Sequence, residues 1–398
     1  MIKNDSKILE CVFSYKGGNK NNCFDCNNGC FMYRIDNTTK QEYEDYLKYL
    51  DSEGFVLYDS HQIRDNYFST YISDTLLLQV YFTTNDHTTR IVADPNTNLY
   101  KREQDATCVN LADTTLYQME LDYRTIDCGM CYVTRCADGS FFIIDSAHMN
   151  STNDHIRLHD LLRRLTPENQ KIIISGWFFS HAHQDHIVKF MDFVRSDFND
   201  YIIEGLYYNF PALTIPGSER WSDSDKQTMR EFNDLVENHQ EIPVVKLHTG
   251  QKFFVRNLKF EVLSTHEDIY PGRLGNFNDS STILMMTVAD CKTLFLGDAN
   301  VTECTIVVAR YGAYVKSDII QVAHHGYNHS NVGIYFCAAA KVALYPTRQD
   351  KFEENQFTEA NKRAIEFSEE IYIAGNGTAA LKLPYNPHTA IVFPKEVN

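Results

Sequence analysis

With 398 residues, 43% of them hydrophobic, the chain has material for a sizeable core and for more than one ordinary domain. Its net charge of −16 repels phosphate backbones at long range, which argues against broad nucleic-acid binding. No run approaches the roughly 20 apolar residues of a membrane span. Residues 1–10, with Lys3, Asp5, Lys7 and Glu10, lack the apolar stretch of a signal peptide, so a cytoplasmic protein without membrane association is expected.

The 11 cysteines are odd in number and scattered, which predicts buried thiols rather than a disulfide framework. Cys23, Cys26 and Cys30 form CxxCxxxC. Three local thiols with no evident fourth ligand favour a polar loop leading into a strand at Cys30 over a metal site.

Residues 40–54 predict an amphipathic helix ended by Gly54. Strand-like runs follow at 67–72, 75–83 and 88–93. The polar stretch 94–112 is the expected crossing out of a small N-terminal α+β module, 1–112, which carries no nameable chemical motif. From 113 to 398 the pattern changes. The Asp138-Gly139 pair predicts a hairpin joining 130–136 to 141–145. A helix from His155 to Leu165 leads to KIIISGWFFS (171–180), which is apolar on both faces and therefore a central buried strand. A helix begins at His186. Further helices are expected at 223–239, 301–311, 331–339 and 358–369. Strands are expected at 252–255, 258–263, 281–289, 293–297, 318–323, 342–346, 371–374 and 389–394. Strands interspersed with helices, with polar clusters at strand ends, predict two sheets covered by helices.

The decisive string is Ser180-His181-Ala182-His183-Gln184-Asp185-His186, directly after the buried strand. Borderline divalent metals take neutral imidazole nitrogen and carboxylate oxygen. In extended chain His181 and His183 point the same way and can grip one metal. Asp185 and His186 follow where the chain turns into a helix and can face a neighbouring position. One short loop can thus serve two metals.

HxHxDH resembles the hallmark of the metallo-β-lactamase superfamily, and the resemblance extends over about 113–395. It implies an αββα sandwich and a two-metal site. By it, Asp298 of TLFLGD takes the place of the bridging aspartate, and His325 of IIQVAHHG takes that of the last metal ligand. The His-His-Gly string is similar to ComEC-type competence domains and phosphorylcholine esterases, which implies that His324 contacts a substrate oxyanion or phosphate. Asn278 and Ser281 fit the same pattern. His266 of VLSTHEDIY stands in the right order for a third histidine on the first metal, a ligand that the esterase-like members lack. Asp145 ends the strand FFIID where the family usually has Asp-Gly-Gly; here Ser146 and Ala147 follow it. His148, His155, His159, His239 and His248 are expected at the surface. Tyr270, Phe277, Tyr327, Asn328 and His329 are expected to line a pocket.

His183 stands where oxygen-reducing diiron relatives typically carry Glu, which points to zinc, with manganese or iron as alternatives. The expected activity is hydrolysis by a two-metal-activated hydroxide, with Asp185 orienting it and His324 polarising the attacked group. A phosphodiester or other small molecule is the expected substrate. A lactone or thioester hydrolase, and a non-catalytic metal-binding or regulatory protein, are the alternatives.

Overall fold

The structure is a computed structural model that describes residues 14–105, 108–122, 128–147, 149–215, 217–327 and 331–394; His148, Asn328 and His329 lie outside the described residues. Three sheets organise it. The first is antiparallel, in the order Asn19–Asp25, Phe31–Asp36, Thr88–Asp94, Leu77–Thr83, Asn66–Ile72, Val56–Ile63. Helix Lys40–Ser52 starts at a reciprocal cap between Thr39 and Glu42 and lays Tyr43, Tyr46 and Leu50 on one face of this sheet. Strand Leu77–Thr83 is buried on both faces. Its Leu78, Val80 and Phe82 meet the helix, while Tyr81 faces the remainder of the chain.

The second sheet runs Val244–Lys246, Leu206–Tyr208, Ile172–Phe178, Phe141–Ile144, Tyr132–Arg135, Thr115–Gln118, Ala379–Lys382, Ile391–Val392, with Tyr201–Ile203 also on Ile172–Phe178. The third runs Lys252–Val255, Leu258–Ser264, Ile283–Val288, Cys291–Phe295, Ile319–Gln321, Val342–Tyr345, Glu370–Ile373. Alternating residues decide how these two sheets pack. Tyr132, Phe142, Ile144 and Phe178 meet Phe260, Val262, Leu284, Met286 and Phe295 between the sheets. The Phe142 and Phe260 ring centroids are 4.4 Å apart there. Full burial of each such side chain contributes about 1.5–3 kcal/mol.

The residues in between face outward onto helices. Val133, Phe141, Ile143 and Trp177 lie under Asp154–Leu165, Gln184–Arg195 and Asp223–Asn238. Leu263, Ile283, Met285 and Leu294 lie under Val301–Tyr311, Val332–Ala338 and Glu359–Phe367. The layers are therefore αββα, as expected. Among the described residues no helix is long and apolar enough to cross a membrane.

Several elements escape the sequence patterns. The strand expected from Cys30 is found at Phe31–Asp36, whereas strands Asn19–Asp25, Val56–Ile63, Thr115–Gln118 and Ala379–Lys382, and helix Gln349–Asn355, were not among the expected elements. The helix expected at His186 begins at Gln184, with His183 as its N-terminal flank.

Candidate metal centre

Every candidate donor sits just beyond a strand, at one shared end of the two packed sheets. The histidine loop follows Ile172–Phe178, Asp298 follows Cys291–Phe295, and His325 follows Ile319–Gln321. The local backbone is special at each. At Gly297, with φ 56°, an added Cβ would stand 3.0 Å from the Ser180 Cβ, so only glycine lets the two loops approach. Gln321 grips both sides of this turn, its Oε1 accepting from Gly297 N at 2.8 Å and its Nε2 donating to Gly297 O at 3.0 Å. His324 and His325 are both left-handed, at φ 51° and 55°, a conformation that costs a non-glycine residue about 1–3 kcal/mol and clusters at functional sites.

Two donor groups result, each with its ligand atoms within 4.8 Å of one another: His181, His183 and Asp298, and Asp185, His186, Asp298 and His325. Asp298 is common to both. His181 Nε2 and His183 Nδ1 are 3.0 Å apart. Asp298 Oδ2 stands 3.2 Å from His325 Nε2, 3.4 Å from His186 Nε2 and 3.9 Å from His181 Nε2. Asp185 Oδ2 stands 3.1 Å from His325 Nε2.

The imidazoles are held from behind. His186 Nδ1 meets Asp145 Oδ2 at 2.8 Å, and His325 Nδ1 meets the Pro346 carbonyl oxygen at 3.0 Å. Both rings therefore donate outward and present Nε2 to the centre. His186 Nε2, His325 Nε2 and Asp298 Oδ1 are buried, yet none makes a hydrogen bond of good geometry. Buried polar atoms without partners are costly. Inward lone pairs on imidazole and carboxylate are the donor set that a divalent cation satisfies, so the residues present fit two metal ions.

The charges agree. Burial raises the Asp185 and Asp298 carboxyls, but His186 and His325 outweigh it and hold both well below the ordinary range. Burial opposes a proton on His186, which Asp298, Asp185 and Asp145 overcome. His325 stands at about 10, because Asp298 and Asp185 outweigh its burial. His181 is pushed well down, first by burial and then by His186. Two ionised carboxylates among buried imidazoles form a field that favours cations.

The surrounding residues sort clearly. Asn278 Nδ2 lies 3.1 Å from His324 Nε2, and Ser281 Oγ accepts from Asp298 N at 3.1 Å. Phe277 packs edge-on to His183 at 5.8 Å, beside Trp221. The His324 and Tyr327 rings are 5.5 Å apart. His266 joins neither donor group. It is fully buried, with neither ring nitrogen in a hydrogen bond of ordinary geometry, edge-on to Tyr270 at 5.8 Å. Tyr270 itself stacks on Phe24 of the first sheet, with ring centroids 5.1 Å apart.

Three surface expectations are corrected. His248 is fully buried, between Glu267 at 2.7 Å and Asp94 at 3.0 Å. His159 stacks on Phe198 at 3.9 Å and bonds Asp200 at 2.7 Å, and His155 is half-buried near the same ring. His239 stays at the surface beside Glu241. Asp145, which holds His186 and Ser180, is a residue behind the candidate centre that the sequence pattern marked without a role. Its only signal was an acidic residue ending an apolar strand. Cavities of about 260 Å³, lined by Tyr117, Glu120, Arg157 and Thr378, and about 510 Å³, lined by Lys16, Glu42 and Tyr46, share no residue with the centre.

No family model and no curated protein matches this sequence. Solved structures do resemble it. One is a metallo-β-lactamase fold protein, YhfI, from Bacillus subtilis, at 13% identity and TM-score 0.39, covering 66% of this chain and 96% of that one. Another is CmlA, a diiron β-hydroxylase from Streptomyces venezuelae, at 14% identity and TM-score 0.38, covering 73% of this chain and 55% of that one. A third is Zn(2+)-bound PqqB from Methylobacterium extorquens, at 10% identity and TM-score 0.31, covering 48% of this chain and 58% of that one. The chain thus spans little more than half the length of the latter two. Its own layers are αββα, with the candidate donors on loops at one end of both sheets.

Proposed function

We propose that this chain is a metal-dependent hydrolase acting on a phosphodiester. His181, His183 and Asp298 would hold one divalent ion, and Asp185, His186, Asp298 and His325 a second. The observation that carries this reading is the sharing of Asp298 between two donor groups, one of them fully buried with His186 and His325 already turned inward. Two ions bound there would supply Lewis acidity and a water of lowered pKa.

The chain's own groups do the remainder. Asp185, beside His325 at 3.1 Å, is an acceptor for the proton of an attacking water. His324, fixed by Asn278 and next to His325 with ring centroids 6.1 Å apart, is placed to hold a phosphoryl oxygen. Phe277 and Trp221 wall the His183 side. Nitrogen and oxygen donors, with His183 where a carboxylate would favour iron, support zinc. By the same resemblance, carbonyl-hydrolysing members use a third histidine. The position of His266 outside both groups weighs against a lactone or thioester substrate.

The test is elemental mass spectrometry on protein purified without chelator, for wild type and Asp298→Ala, with hydrolysis of bis-p-nitrophenyl phosphate. A loss of about two zinc per chain in the variant, with chelator-sensitive diesterase activity in the wild type, is expected. Metals lost as expected but turnover only of lactones or thioesters would move the proposal to carbonyl chemistry. Equal metal content in both proteins would overturn it.

A further inference from the structure

A second set of metal-ligating side chains, sharing no residue with the first, meets where the N-terminal sheet packs on the third sheet. Cys26 and Cys30 flank the turn between Asn19–Asp25 and Phe31–Asp36. Neither was expected to bind a metal, Cys26 lying in a polar loop and Cys30 opening a strand, but both are fully buried, while Cys23 is exposed. The turn is closed by Cys26 N donating to Cys30 O at 2.8 Å and Cys30 N donating to Asn27 O at 2.9 Å, so both thiols point into the protein from one rigid loop. Asp94 ends the strand Thr88–Asp94 of the same sheet. From the other side, His248 precedes the strand Lys252–Val255, and Glu267 follows Leu258–Ser264. All five residues are buried.

Their ligand atoms converge. Cys26, Cys30 and Glu267 lie within 4.8 Å of one another, and so do Cys30, Asp94 and His248. Cys30 belongs to both sets, and His248 bonds Glu267 at 2.7 Å. Lys246 Nζ donates to Cys26 O at 2.6 Å and Asn27 O at 3.2 Å, fixing the thiol turn and placing a positive charge beside it. The two triads are joined through Cys30 and through the His248–Glu267 bond, and drawing them onto one ion would complete a set of two thiolates, a carboxylate and an imidazole, the kind that structural zinc takes.

We propose that Cys26, Cys30, Glu267 and His248 bind a single zinc ion that fastens the N-terminal sheet to the sandwich, independently of the candidate catalytic centre. On binding, each thiol releases its proton to solvent, and so does the His248 Nδ1 that bonds Glu267, while Nε2 keeps its proton toward Asp94; the ion and Lys246 offset most of the charge of the two thiolates, Glu267 and Asp94. Asp94 holds His248 from behind at 3.0 Å, as carboxylates hold metal-bound imidazoles. Two bodies are joined by ligands from both, so the ion contributes to docking of the sheet rather than to turnover.

Cobalt(II) tests this directly, because the candidate catalytic centre has only nitrogen and oxygen donors. Full-length wild-type protein loaded with cobalt should show a thiolate-to-cobalt charge-transfer band in the near ultraviolet. The band should persist in Asp298→Ala and vanish in Cys30→Ser. Asp298→Ala grown with zinc should keep about one equivalent per chain, and adding Cys30→Ser should remove it. Cys26→Ser serves in the same way if Cys30→Ser does not fold. No band in the wild type, or a band that survives both serine variants, would overturn the proposal and leave a buried ion network without a metal. Either result stands apart from diesterase activity, so this site and the hydrolase reading fail or survive separately.

Discussion

At the scale of single residues, Asp145 shows how a centre is tuned from behind. It is fully buried and left-handed at φ 56°. Its carboxylate accepts from Ser180 N and Ser180 Oγ at 2.8 Å each, and meets His186 Nδ1 at 2.8 Å. It therefore orients the histidine loop and one imidazole together. Asp145→Asn keeps the shape but weakens control of the His186 tautomer. Metal affinity measured by competition with a chromophoric chelator should fall about 10–100-fold, with the fold retained by circular dichroism. Unchanged affinity would remove Asp145 from the centre. The ligand loop itself was legible because four donors in six residues leave few other readings. The role of Asp145 was not, because a strand-end carboxylate is common and only tertiary contact shows what it faces.

At the scale of elements, helix Val301–Tyr311 follows directly on the Asp298 turn and carries Glu303 in its first turn. Both Glu303 carboxyl oxygens are buried without a hydrogen-bond partner of ordinary geometry. Burial first, and Asp279 second, push its pKa from 4.5 to about 8. Between these values the folded chain holds a proton that the unfolded chain has released. Stability from this group is thus present below about 4.5 and is lost as pH rises through about 8. Glu303→Gln should leave melting temperature near wild type at acid pH and raise it relative to wild type above about pH 8. Parallel curves over the whole range would show that Glu303 does not carry the shift. The strands around the centre were readable as apolar runs between turn residues. Short edge strands such as Val244–Lys246 and Tyr201–Ile203 have three residues each, too few to show a period.

At the scale of the whole molecule, the N-terminal sheet is not a loosely tethered appendage. Tyr81 Oη donates to Asp268 at 2.9 Å, Gln79 Nε2 to Thr249 O at 2.9 Å, Asn66 Nδ2 to Arg310 O at 3.1 Å, and Arg64 to Tyr311 O at 2.9 Å. Phe68, Tyr81 and Val92 share a core with the sandwich. Deleting residues 1–112 would strand Asp268 and Arg310, buried partners at 2.7 Å, at a bare apolar face. The truncated chain is expected to aggregate or melt well below the full-length protein in a thermal scan, whatever the role of the sheet in turnover. A soluble, cooperatively folding 113–398 fragment would contradict that.

What the amino-acid sequence determined by itself was local and periodic. Alternation placed most of the sandwich strands, helical spacing placed the covering helices, and the spacing of His181, His183, Asp185 and His186 pointed to metal chemistry. These signals survive without tertiary structure because backbone geometry sets the periods of strand and helix, and because a ligand cluster within one loop is compact before folding. Tertiary structure alone decided the relations between distant segments. It brought Asp298 between two donor groups, left His266 outside them, and buried His248 between Asp94 and Glu267, 154 and 19 residues away in sequence. It also turned Cys26 and Cys30 inward from a turn that reads as polar. The physical reason is the same in each case: sheet packing sets which loop ends meet, and no local pattern in the chain encodes the partner on the other side.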